Sequence, residues 1–350
     1  MKNRNISLDG LRAIGLLAII LAHVNPPAWL FQLRNFDVPL MVFVSGAVYG
    51  LSSGKKKSYL SYLIKRVERL LFPTWLFLSF YFLFFLIVAH VASQPFSFSP
   101  ETIFTSYTLQ SGIGYVWIIR VFVLVALISP LLVRFSTDFK IQYLFILLAC
   151  YVFYECLYGI YTGLPLIKHN SILNSIFQDY LFYLLPYGVV AGLGLSLQQS
   201  SKRIRVWFLA LFIILFLGEQ LLLHGGIINT QVAKYPPTSY YLSYALAVTV
   251  ALTFLSETKG FISVFQTHFF QFFASSTLWI YLWHILFLTL WERKIFYLPV
   301  AYHLYYIEYF FVIFWAVLFT YVQKKIIKKC LDKYSFSTFF ISFLQEAFLK

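Results

Sequence analysis

With 350 residues, 60% of them hydrophobic and only 11% charged, the chain has too little polar surface to cover a soluble globule of its size. Its net charge of +14 would suit nucleic acid, but Lys and Arg cluster between apolar runs, where they set topology and meet anionic headgroups, so no nucleic-acid partner is expected. Runs of about 20 apolar residues, enough to cross about 30 Å of hydrocarbon, recur almost end to end and leave no room for a separate soluble domain.

The first run, Ile6–Val24, follows Met-Lys-Asn-Arg as a signal peptide would, yet it contains Asp9 and Arg12 and lacks a small-residue cleavage site, so it stays as the first span. Further spans are predicted over 38–54, 70–92, 115–134, 141–158, 177–197, 206–224, 239–256, 270–290 and 304–323. Together they make an all-α, polytopic membrane helix bundle of about ten transmembrane helices. Basic residues outside the spans divide unevenly. With the N-terminus inside, twenty fall on the inner side, including Lys55, Lys56, Lys57, Lys65, Arg66 and Arg69; five fall outside, Arg34, Lys168, Lys234, Arg293 and Lys294. That asymmetry puts both termini in the cytosol. Residues 1–329 form the transmembrane domain, and 330–350 read as a short amphipathic tail lying along the inner leaflet. Cys150, Cys156 and Cys330 have no metal or disulfide spacing and are read as packing residues. The wealth of 26 Tyr, 40 Phe and 8 Trp fits interfacial belts first, with rings near Trp117 or Tyr241 also suited to stacking on a sugar.

Ionisable groups inside spans cost roughly 2.5–3.5 kcal/mol each on insertion scales, so each needs a partner, a wet cavity or a role. Arg12 and His23 are eleven positions apart on the first helix. Eleven steps of about 100° bring the second back over the first, some 16 Å along the axis, so both are expected to face one cavity at two depths. Arg66 and Arg69 share a helical face beside Lys65, a grouping that grips phosphate or simply fixes topology. Leu70-Leu71-Phe72-Pro73 is expected to open the third helix, with the proline in its first turn. Ser45 and Gly46, in mid-helix, should let another backbone come close. Asp37, at the outer mouth, is placed to orient an imidazole such as His23 or to cap its own helix. Arg120 and His284 should lie at a depth similar to His23.

These residues occur in motifs that resemble the acyltransferase type 3 family, bacterial membrane proteins that O-acylate cell-surface sugars. The resemblance rests on Ser7-Leu8-Asp9-Gly10-Leu11-Arg12-Ala13 followed by His23, and on Asp37-Val38-Pro39-Leu40 leading to Phe43-Val44-Ser45-Gly46. It continues through Lys65-Arg66-Val67-Glu68-Arg69-Leu70, Gly114-Tyr115-Val116-Trp117, Lys234-Tyr235-Pro236-Pro237 and Trp279-Ile280-Tyr281-Leu282-Trp283-His284. The resemblance implies a multi-pass protein of the bacterial inner membrane that takes an acyl group, acetyl above all, from cytosolic acyl-CoA. The acceptor it implies is a hydroxyl of a surface glycan or lipid-linked sugar. It assigns His23 and Asp37 to catalysis, Arg12, Lys65, Arg66 and Arg69 to the acyl-CoA phosphates, and Trp117, Arg120, Tyr241 and His284 to the acceptor side. No permanently bound cofactor or metal is implied. The competing class is a glycan flippase, which also needs charge in a wet path but has no use for coenzyme A.

Overall fold

The computed structural model describes residues 5–52, 58–139, 142–164, 171–222, 226, 228–293, 304–334 and 336–349. Lys55, Lys56, Lys57, Lys168 and Lys294 lie outside these, as do the ends of the expected spans at 53–54, 141 and 223–224. The described residues are mainly helical, with no named strand among them. In chain order the helices are α1 (Ile6–Ala22), α2 (Ala28–Leu33), α3 (Asp37–Ser52), α4 (Tyr59–Val91), α5 (Pro100–Tyr107), α6 (Trp117–Phe139) and α7 (Gln142–Gly163). They continue as α8 (Ile172–Leu197), with a π-helical turn at Ile176–Leu181, and α9 (Lys202–Leu222). After these come α10 (Ser239–Ser256), α11 (Lys259–Phe265), α12 (His268–Ala274), α13 (Thr277–Glu292), α14 (Tyr305–Lys333) and α15 (Thr338–Leu344), which runs on as a π turn, Gln345–Leu349.

Seven described helices are long and apolar enough to cross a membrane, and eight if α12 and α13, bent by 81°, count as one broken span. The expectation of ten also took in α1 and α3, which at 17 and 16 residues are about 25 Å long and fall short of that length test. The clearest departure lies in α4. Its 33 residues absorb the Lys65–Arg69 segment into the helix, so Pro73 sits in the interior rather than the first turn. The hydroxyl of Thr74 donates back to the Leu70 carbonyl at 2.6 Å beside it.

The chain divides into two compact units. The first takes Met1–Ile19, Pro27–Lys56 and Leu124–Gln271. Its centre is the contact of α3 with α8, where a Cβ on Gly46 would stand 2.0 Å from the Ala191 carbonyl oxygen and one on Gly194 would stand 2.0 Å from that of Phe43. Two backbones therefore touch directly, as the small residues near Gly46 suggested, and any larger side chain forces them apart. Leu8, Leu11, Leu40, Val44, Ala47 and Phe261 cluster beside that contact. In α8, 72% of the apolar window is buried, whereas in α9 only 17% is, so α9 offers its Trp207, Leu217 and Leu221 to lipid. Cys150 and Cys156 are likewise exposed on α7, which corrects their reading as packing residues.

The second unit takes Ile20–Pro26, Lys57–Val123 and Phe272–Lys350. Here α13 is its most buried helix, from Trp279 to Trp291, and packs along α14 and α4. The C-terminal segment makes specific side-chain contacts. Its final turn packs into this unit: Trp279 Nε1 donates to the Ala347 carbonyl at 2.8 Å, Phe348 stacks on Trp279, and Glu346, 4% exposed, pairs with Arg69. Phe339 and Phe340 in the same segment remain exposed.

Candidate functional site

The second unit places His23 just beyond the end of α1 instead of inside it. Its amide still donates to the Ile20 carbonyl at 3.0 Å, but Asn25 turns left-handed at φ 47° and Pro26 and Pro27 prevent the helix from continuing. The imidazole is half-buried and packs edge-on against the Tyr115 ring, 4.9 Å between centroids. Tyr115 is presented by a turn with positive φ at Gly112 and Gly114. A Cβ on Gly112 would meet Ser106 Oγ at 2.4 Å, so only glycine fits that turn. The Tyr115 carbonyl accepts from the Tyr281 hydroxyl at 2.6 Å, which ties the turn to α13.

On the same helix, one turn after Tyr281, stands His284, fully buried. Its Nε2 lies 3.0 Å from Nδ1 of His23, and its own Nδ1 contacts the Tyr281 carbonyl oxygen. The Tyr81 hydroxyl and Thr289 Oγ1, 3.0 Å apart, tie α4 to α13 further along, and Trp283 Nε1 donates to Gln323 on α14. The histidine on α13 is thus held by a packed, hydrogen-bonded helix, while its partner follows a helix end.

The other expected residues of this unit are spread over α4 and α6. Lys65 lines a cavity of about 310 Å³ with Ser58, Ser61, Glu68 and, from the tail, Phe339 and Ser342. The Arg66 guanidinium lies 5.1 Å from the centre of the Tyr62 ring, and Arg69 is paired with Glu346. Trp117 begins α6, and Arg120 follows it at 6% exposure.

The first unit holds Arg12, Asp37 and Tyr241. Arg12 pairs with Asp9 one turn back on α1, Nη1 to Oδ1 at 3.2 Å. Asp37 sits in a buried network with residues that sequence reasoning treated only as topology markers or landmarks. Its Oδ2 accepts from Arg34 at 2.8 Å, and its Oδ1 from Lys234 at 3.2 Å and from the Val38 amide at 2.8 Å. Asn35 extends the network, accepting from Lys234 and donating to Thr230 Oγ1 at 2.8 Å. Tyr241 is fully buried, with the Lys234 ammonium 5.7 Å from its ring centre. Burial pushes the Lys234 ammonium below its ordinary range, and Asp37 pulls it back. Burial also pushes the Tyr235 phenol up.

In the sequence Asp37 suits either of two roles, orienting an imidazole such as His23 or capping its own helix. Within its own unit His23 is hydrogen-bonded to His284, and both oxygens of Asp37 accept hydrogen bonds, from Arg34, Lys234 and the Val38 amide. The three-residue spacing of Arg34 and Asp37 was readable as a same-face pair. Nothing in the spacing pointed to Lys234, 197 residues away from Asp37, or to Glu346, 277 away from Arg69.

A family model described as an acyltransferase domain matches residues 5–343, nearly the whole chain. No curated protein and no solved structure matches it.

Proposed function

The chain belongs to this acyltransferase type 3 family and is a multi-pass membrane acyltransferase, and from that premise we propose that it moves an acetyl group from cytosolic acyl-CoA to a hydroxyl of an extracytoplasmic surface-glycan sugar. The reading places it in a bacterial inner membrane with both termini in the cytosol, in keeping with the charge asymmetry between loops. No resident cofactor takes part; acyl-CoA is the donor substrate.

The observation that carries the reading is the setting of His23: one ring nitrogen tethered to a second imidazole at 3.0 Å, on a half-buried ring at a helix end. An imidazole so held suits proton transfer. His23 takes the proton of the acceptor hydroxyl as its oxygen attacks the thioester carbonyl. The new C–O bond replaces the C–S bond, and the proton passes to the departing coenzyme A thiolate. Lys65, Arg66 and Arg69 on α4, with Arg12, provide cations for the donor phosphates. Trp117, Arg120 and Tyr241 are assigned to the acceptor or the developing oxyanion, and Asp37 to the network that shapes the outer mouth.

The test is transfer of radiolabel from acetyl-CoA into the surface glycan of cells carrying wild type, His23→Ala or Arg66→Ala at matched membrane levels. Wild-type label lost by about 10²–10⁴-fold in His23→Ala is the expected result for a missing base. Unchanged label in His23→Ala would sink the mechanism, and wild-type cells without label would point to another donor or to the flippase reading.

A further inference from the structure

The two imidazoles lie in a geometry that fixes where their protons are. Their ring centres are 5.2 Å apart and their planes differ by 17°. With Nδ1 of His23 only 3.0 Å from Nε2 of His284, that separation requires the two nitrogens to lie almost on the line between the centres. The contact therefore runs within both ring planes, where imidazole N–H bonds and lone pairs point, and is a hydrogen bond more than a face-to-face stack.

One proton sits between the two rings, and the next link decides which ring owns it. The Tyr281 carbonyl only accepts, so Nδ1 of His284, in contact with it, carries a proton. A second proton on His284 would make an imidazolium at a site with no exposed surface. Nε2 of His284 is then the bare nitrogen, and Nδ1 of His23 is the donor to it. A neutral imidazole protonated at Nδ1 has its lone pair at Nε2.

We infer that His284 is a positioning residue: through the chain Tyr281 carbonyl, His284, His23, it holds His23 in the tautomer whose Nε2 accepts the acceptor's proton. This deepens the proposed function and rests on the assignment of His23 as the base. His284 thus acts through His23 instead of holding the sugar. The arrangement uses a second imidazole where many hydrolases and transferases use a carboxylate, and it places no negative charge against the base. As His23 gains the hydroxyl proton at Nε2, the Nδ1 proton stays in its hydrogen bond, so the imidazolium that forms is steadied by a neutral acceptor. When Nε2 passes its proton to the thiolate, the original tautomer returns.

Two variants separate the acceptor atom from the shape of the side chain. His284→Phe keeps a flat ring and removes both nitrogens; His284→Gln removes the ring but keeps an oxygen able to accept from His23 Nδ1. Full-length protein in native-lipid vesicles, assayed with acetyl-CoA, is expected to lose about a hundredfold in turnover in His284→Phe with KM for acetyl-CoA within about twofold of wild type. His284→Gln is expected to restore most of that loss. Nitrogen-15 NMR of the same vesicles with labelled histidine, His23 being assigned by its loss in His23→Ala, should show His23 protonated at Nδ1 in wild type, a readout that needs no turnover. A wild-type His23 protonated at Nε2, a His284→Phe enzyme at full turnover, or a Gln variant no better than Phe would overturn the relay. Full turnover in His23→Ala would overturn the base assignment beneath it, whereas full turnover in His284→Phe alone would remove only His284.

Discussion

The chain buries polar side chains in two quite different ways. In the first unit, Arg34, Asp37 and Lys234 are all charged, each 4% exposed or less, and cross-bonded with Asn35, Thr230 and Gln32. In the second, the Tyr281 carbonyl, His284 and His23 are linked in series, from a fully buried imidazole to a half-buried one. A network in which Asp37 accepts from three donors and Lys234 donates to two acceptors resists rearrangement, and it staples the segment before α10 to the start of α3. On the proposed reading, His23 takes up and gives back a proton while the hydrogen bond from its Nδ1 to His284 stays in place. The first has the architecture of a support, and under the proposed function the second positions a reacting group.

The contrast is sharpest in stability, because a support fails by unfolding and a reacting group fails by losing turnover. Asp37→Asn keeps the shape but leaves Arg34 and Lys234 facing each other with no carboxylate. It is expected to cost about 3–5 kcal/mol, read as reversible unfolding of the protein in mixed micelles. A loss below about 1 kcal/mol would show that the network is not the support described. Lys234→Met takes away one cation and leaves the Arg34–Asp37 pair balanced, so its cost in the same measurement should be clearly smaller, about 1–2 kcal/mol.

His23→Ala should leave unfolding within about 1 kcal/mol of wild type while transfer collapses, since the ring lies past a helix end and is only half-buried. If its stability fell as far as that of Asp37→Asn, the distinction between the two regions would be gone. The smallest expected effect is on pH dependence. Burial lowers the Lys234 ammonium from its ordinary 10.5, so the unfolded chain holds that proton more tightly than the folded one. Stability should therefore rise with pH across the alkaline window beneath 10.5, and Lys234→Met should flatten that rise. An unchanged slope in the variant would assign the alkaline behaviour to other groups.

The sequence alone determined the solvent, the helical class and the chemistry-bearing residue types. Apolar length is a local property, which is why the span expected at 239–256 coincides with α10, and why Gly46 could be read as a close-approach position. The family was legible for a similar reason: its signatures, such as Arg12 with His23 and Arg66 with Arg69, are short spacings along the chain. Tertiary structure decided who partners whom. His23 with His284, Asp37 with Lys234 and Arg69 with Glu346 are 261, 197 and 277 residues apart, and such pairs form only after helices pack. It also decided where helices begin and break, because packing carried α4 back through its basic segment and bent α12 from α13 by 81°. Periodicity reports which residues prefer hydrocarbon; the partner that satisfies a buried nitrogen or carboxylate is supplied by another part of the chain, and only the fold brings it within 3 Å.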